Sequence, residues 1–242
     1  MGIGHRIRHM LLGLSAFFLL LLLVLGGFVY TVWKPSYPAL LMTRVHRIAA
    51  AHGGFTPLSD IPVSLQRALI ATEDRSFYHN SGIDVEGILR ALWVDISHGQ
   101  LVQGGSTITE QLVKDIFLSD QKTIPRKVKQ IAFSVLISRY FTKNEILAMY
   151  LNEVYLGQGA YGVGDAARVY FGESPTQLTP AQATLLAGLP QAPSLYDPLQ
   201  HYALAKMRQS EVLQSMVQAG FLTASRARVI ARSPLHLVRN SE

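Results

Sequence analysis

From Met10 to Trp33 the sequence runs MLLGLSAFFLLLLLVLGGFVYTVW without one charged residue. As a helix this run is roughly 36 Å long at about 1.5 Å per residue, enough to cross a bilayer. A cleaved signal peptide is the competing reading, but its apolar region is usually only about 7–15 residues long and ends at small residues. Here the run is longer and ends in Tyr30, Trp33 and Lys34, side chains suited to a membrane interface. An uncleaved anchor over residues 10–33 is therefore expected. Arg6 and Arg8 precede it and Lys34 follows. The positive-inside rule then keeps residues 1–9 in the cytoplasm and sends the rest of the chain across the membrane.

With 242 residues, 49% hydrophobic and 16% charged, the chain has room for that anchor and one folded domain. A net charge of +6 and a pI near 9.6 favour an anionic partner: nucleic acid, an acidic lipid surface or a phosphorylated substrate. Charge alone does not choose among them. The absence of cysteine excludes a disulfide framework and thiolate chemistry, and no HExxH pattern occurs.

Residues 34–60 contain Pro35, Pro38, Gly53, Gly54 and Pro57 and read as a linker with one short helix between Ala39 and Ala51. Residues 61–242 then read as a mainly α domain. STITEQLVKDIFL places Ile108, Leu112, Val113, Ile116 and Phe117 on one face, with Thr107 and Glu110 spaced as a capping box. In PRKVKQIAFSVLISRYF the expected stripe is Val128, Ile131, Ala132, Val135 and Leu136. TKNEILAMYLNEVYL has Thr142 and Glu145 as its box and buries Ile146, Leu147, Tyr150, Leu151 and Val154. Thr179, Pro180 and Gln182 open another helix, which stops near Gly188. A last helix is expected from about His201 to Gln218, closed by Gly220.

Two familiar patterns mislead. GQGAYG, Gly157 to Gly162, matches GxGxxG but follows a helical segment, with no βαβ context and no acid about 20 residues later. SDQK, Ser119 to Lys122, matches the SxxK of transpeptidases, yet neither SDN nor KTG follows.

The informative segments are EDRSFYHNSG (Glu73 to Gly82), GGSTITEQLVKD (Gly104 to Asp115), RKVKQ (Arg126 to Gln130), KNEILAMYLN (Lys143 to Asn152) and RQSEVL (Arg208 to Leu213). In order and spacing they resemble the five motifs of the bacterial peptidoglycan glycosyltransferases, the family of the monofunctional transglycosylases and of the N-terminal domains of class A penicillin-binding proteins. The resemblance covers about Ile61 to Leu213. It implies a lysozyme-like helical fold held by a single-pass anchor in the bacterial cytoplasmic (inner) membrane, with the catalytic domain periplasmic or extracellular. The implied substrates are lipid II and the lipid-linked glycan strand. Cell-wall synthesis proteins are the implied partners, and nucleic acid is not.

Transfer of a sugar from a prenyl diphosphate to a hydroxyl requires a base for the incoming hydroxyl and positive charge for the leaving group. The resemblance assigns Glu73 as that base. Asp74, Glu110 and Gln130 are supporting candidates, Asp74 with a structural role as the alternative. Lys114, Lys122, Arg126 and Lys127 are the expected diphosphate ligands, since guanidinium groups bind phosphate bidentately and lysine adds a point charge. Ser106, Thr107 and Gln111 are further substrate-binding candidates, and Phe77, Gly82, Gly104, Gly105 and Asn152 are expected to shape the cleft. No cofactor is required, although a Mg or Mn ion at the diphosphate is compatible with the chemistry.

Four positions depart from the family pattern. Asn80 stands where a histidine is expected, Glu110 where the first of two glutamines is, Gln130 where a second glutamate is, and Gln209 where an arginine is. Glu110 and Gln130 together look like an exchanged acid that keeps the local charge. The alternative is that Glu110 pairs with Lys114 on an exposed helix face. If the departures abolish turnover, a lipid II or glycan-binding scaffold remains, and a lysozyme-like lytic enzyme is the third reading.

Overall fold

The computed structural model describes residues 33–87, 106–118, 121 and 123–238, together with Gly27. The expected anchor, except Gly27 and Trp33, lies outside these residues, as do Gly104, Gly105 and Lys122. Among the described residues no helix is long and apolar enough to cross a membrane. The chain divides into two compact units, Met1–Tyr37 and Pro38–Glu242.

The larger unit is helical. Helix α1 (Tyr37–Ala51) buries Leu41, Val45 and Ala49, one turn apart. Arg44 donates to the Ile116 carbonyl, so part of the expected linker packs into the body. Helix α2 (Val63–Glu73) starts after Pro62 and buries Leu65, Ala68, Leu69 and Ala71. Helices α3 (Ile108–Phe117), α5 (Lys143–Glu153) and α7 (Pro180–Leu186) each open on the capping box read from their sequence. Helix α4 (Ile124–Tyr140) is capped by the Thr123 hydroxyl, and α8 (Tyr202–Gln218) ends as expected before Gly220.

Two helices were not expected. Helix α6 (Gly162–Phe171) follows GQGAYG, which is a tight turn bridged by Tyr155 and Tyr161. Its first residue is a glycine because a Cβ there would lie 2.7 Å from the Asn152 carbonyl oxygen, at a φ of +77°. Helix α9 (Ala224–Arg232), capped by Thr223, corrects the expectation that α8 is the last.

The stripe expected on α4 is also corrected. Gln130, Phe133, Ser134 and Ile137 are its buried residues, whereas Val128, Ile131, Ala132, Val135 and Leu136 are half-buried. Polar contacts turn the helix: Gln130 donates to the Glu110 carbonyl at 2.8 Å, and Gly82 sits so close that a Cβ would meet the Ser134 carbonyl oxygen at 2.3 Å. Apolar periodicity cannot anticipate a face chosen by hydrogen bonds.

Helix α5 lies at the centre, buried continuously from Ile146 to Glu153 and packed on α3 and α6. Helix α2 packs on α7 and α8, and α8 on α9. At the end of α5, Glu153 is buried with one carboxylate oxygen lacking a hydrogen-bond partner. Burial first, then the nearby Asp115 charge, push its pKa from an ordinary 4.5 up to about 8, with Lys114 opposing. Between those values the folded chain holds a proton that the unfolded chain releases, so this group's contribution to stability falls as pH rises. Glu153→Gln is therefore expected to raise the thermal midpoint relative to the parent more at pH 8 than at pH 5, measured on the detergent-solubilised chain.

Candidate active site

Glu73 closes α2 and Asp74 is its C-terminal cap, so the chain turns between two adjacent acids. The turn separates them. Glu73 Oε2 accepts a 2.8 Å hydrogen bond from Gln111 Nε2. The Gln111 amide oxygen in turn accepts from the Tyr150 hydroxyl at 2.9 Å. On the other side, Arg208 from α8 places Nη2 3.7 Å from Glu73 Oε1. Arg208 is itself braced by the Gly188 carbonyl and by Glu211.

Glu73 is mostly buried, 13% of its side chain remaining exposed. Its pKa is raised by burial, while Gln111, Arg208 and Lys114 act the other way. A carboxylate in this setting is more basic than one in water.

Asp74 faces the protein. Its Oδ2 accepts the Ile108 N–H at the start of α3 at 3.1 Å, and Asn80 and Ser76 donate to the same carboxylate. Asn80 also accepts from Gly82 N–H and from Lys143 Nζ, whose ammonium lies 4.7 Å from the centre of the Phe77 ring. Asp74 is thus bonded to the protein's own groups. Asn80, in place of a histidine, knits this loop together, and Phe77 is fully buried beneath it.

A second group forms at the N-terminus of α3. Thr107 donates to the Gly82 carbonyl at 2.7 Å and caps α3. Glu110, fully buried, accepts the Thr107 N–H on Oε2 at 3.0 Å and Lys127 Nζ on Oε1 at 2.7 Å. The same ammonium reaches Ser106 Oγ at 3.2 Å, and 41% of the Lys127 side chain stays exposed. Lys114 pairs with Asp115 instead of Glu110, which overturns the exposed Glu110–Lys114 pair and puts Glu110 beside Gln130. Arg126 has a buried Nε without a hydrogen-bond partner.

Asn152, expected to shape the cleft, and Gln209, one of the four departures, make other contacts. Asn152 is buried and clasps the backbone of Thr56 through both amide atoms, holding the 52–57 loop on α5. Gln209 bonds the Ala181 carbonyl and Thr184, joining α8 to α7. Arg208, Tyr150 and Lys143 were missed as parts of the site. Arg208 lies in the fifth motif, the one signal that could have found it. Among the described residues no group of three or more His, Cys, Asp or Glu could hold a metal ion.

The transglycosylase family model matches residues 42–217. The chain belongs to that family. The resemblance read from the five motifs is borne out. Penicillin-binding protein 1A of Rickettsia bellii is 41% identical over 191 residues, covering 78% of this chain and 24% of the relative. The protein of the same name from Aquifex aeolicus is 42% identical over 78% of this chain and 26% of its own length, and that of Escherichia coli 46% over 69% and 20%. This transglycosylase chain thus spans about a quarter or less of the relatives' lengths. A crystal structure of penicillin-binding protein 1A from Haemophilus influenzae matches 76% of the chain and 18% of its own, with a TM-score of 0.45 and 21% identity.

Two outcomes follow for this transglycosylase site. Gln111→Leu removes a hydrogen bond that stabilises ionised Glu73, so the acid limb of any Glu73-dependent activity is expected to move to higher pH in a pH–rate profile. Glu110→Gln deprives Lys127 of its counter-charge. Adding Gln130→Glu, one helical turn from Lys127, returns a carboxylate within reach. The single Glu110→Gln change is expected to lower turnover about ten-fold and the double change to recover part of it, the non-additivity of residues sharing one partner.

Proposed function

We propose that the chain is a membrane-anchored peptidoglycan glycosyltransferase that polymerises lipid II into glycan strands. The observation carrying this reading is Glu73, a carboxylate made basic by burial and aimed by Gln111 and Arg208. In the reaction Glu73 takes the proton of the acceptor sugar hydroxyl. The oxygen forms a bond to the donor's anomeric carbon, and the carbon–oxygen bond to the prenyl diphosphate breaks, its electron pair leaving with the diphosphate. That leaving group needs no general acid, which agrees with Asp74 being committed to the Ile108 N–H. A lysozyme-like cleavage by paired carboxylates is correspondingly less well supported.

Lys127, Lys114 and Arg126 meet the developing diphosphate charge. Lys127 suits the task because Glu110 and Ser106 fix its position while its side chain stays partly exposed. The donor set at this wall does not fit a divalent cation. Both Glu110 oxygens are engaged, Gln130 contributes an amide, and no step is routed through a metal. The run Met10–Trp33 supplies the anchor, which brings the site to a lipid-linked substrate displayed on the outer face of the membrane.

Purified chain supplied with lipid II tests the reading. Polymerisation is expected for the parent, and Glu73→Gln, which keeps the shape but cannot take the proton, is expected to lower the rate by about 10²-fold or more with little change in substrate binding. Lipid II binding without turnover by the parent would replace this reading with the scaffold.

A further inference from the structure

A cavity of about 270 Å³ lies between α2, α7, α8 and α9, and its lining shares no residue with the contacts of Glu73 described above. Its apolar lining includes Met216, Phe221, Leu222 and Ile230, and Arg67 and Arg226 also line it. Both arginines are exposed, and neither makes an ion pair among the described residues. The Arg67 guanidinium lies 5.7 Å from the centre of the Phe221 ring, so charge and apolar wall are contiguous. No acidic residue lines the cavity. Residues 212–241 contain neither Asp nor Glu, and Arg226, Arg228 and Arg232 all lie exposed on α9.

We propose that this cavity docks an acidic protein segment, which inserts one apolar side chain between Arg67 and Arg226 and places carboxylates against them. Three features select that occupant. The volume is below the roughly 300–1,000 Å³ of sites that enclose a drug-sized ligand, and it suits a single anchoring side chain of the kind that dominates interface energetics. The two unpaired guanidinium groups supply bidentate partners for carboxylates. A lipid surface fits less well, because an interfacial helix offers its apolar face outward, whereas α9 turns Ala227 and Ile230 into the protein. The site uses α2 and α8, the helices that carry Glu73 and Arg208, so a docked partner sits on the scaffold of the catalytic carboxylate.

The experiment is a selection of random twelve-residue peptides displayed on phage against the full chain in detergent, run in parallel on Ser64→Trp and on Arg67→Glu with Arg226→Glu. Ser64 lines the cavity, so tryptophan there fills it without altering charge. Lipid II polymerisation by each variant reports that it is folded. The expected result is enrichment of peptides with an aromatic or aliphatic residue flanked by Asp and Glu. Their synthetic counterparts should bind the parent at least ten-fold more tightly than either variant, and more weakly as salt rises. Enrichment without acidic residues, or equal binding by Ser64→Trp, overturns the proposal. Sedimentation with phosphatidylglycerol vesicles supplies the other arm. If no acidic peptide is enriched, while vesicle binding is lost in the double arginine variant and kept in Ser64→Trp, the face is a lipid contact and the proposal is overturned.

Discussion

The buried N-terminus of α3 is the constraint around which this site is arranged. The first amides of a helix have no partners within it, and burying them unsatisfied is costly. Here the capping box satisfies Thr107 and Glu110 N–H groups locally, and the Ile108 N–H is taken by Asp74 from the end of another helix. That last bond fixes the turn after α2, and with it the direction in which Glu73 leaves. One residue further along α3 than the box, Gln111 reaches Glu73. The same helix end therefore positions Glu73 twice, through its backbone and through a side chain.

Adjacent carboxylates usually compete, and two like charges at one site force one pKa upward. This chain avoids the conflict by giving the two acids separate partners. Burial raises the pKa of both acids, and on Asp74 it is opposed by a backbone amide, Asn80 and Ser76, all donors to the charged form. Glu73 has one amide donor and a guanidinium 3.7 Å away, longer than a direct hydrogen bond. Glu73 is thus the acid held by fewer donors, and it remains oriented by Gln111. Asn80 contributes by satisfying Asp74 and Lys143 at once, so the residue that departs from the family histidine still ties the first and fourth motifs together.

What was readable in the sequence was local. The boxes at Thr107, Thr142 and Thr179 pair groups three residues apart, and they appear where expected because nothing distant is needed to form them. Helix α6 escaped notice because its first turn contains glycines at 162 and 164, which mimic a loop. Helix α9 is short and arginine-rich, with only Ala227 and Ile230 buried, too few to mark a period. The buried face of α4 was misread for another reason: polar contacts to α3 select it. Arg208 and Glu73 are far apart in the chain, and their meeting depends on α2 packing against α8, which no spacing rule contains. Asn152 shows the converse, a motif residue whose chemistry suggested the cleft and whose geometry serves the Thr56 loop.

Positions 110 and 130 meet where α3 packs on α4. A carboxylate at 130 would sit one turn beyond Lys127 on α4, whereas Glu110 approaches the same ammonium from α3. The requirement in both arrangements is a single negative charge that keeps Lys127 in place without enclosing it. A buried acid with no cation is strongly destabilising, and a lysine with no acid is free to swing away. With the acid on α3, position 130 is left to an amide able to bond the backbone. Gln130 does this by donating to the Glu110 carbonyl. The two positions therefore meet at one helix contact, Gln130 through the Glu110 backbone carbonyl and Lys127 through the Glu110 carboxylate.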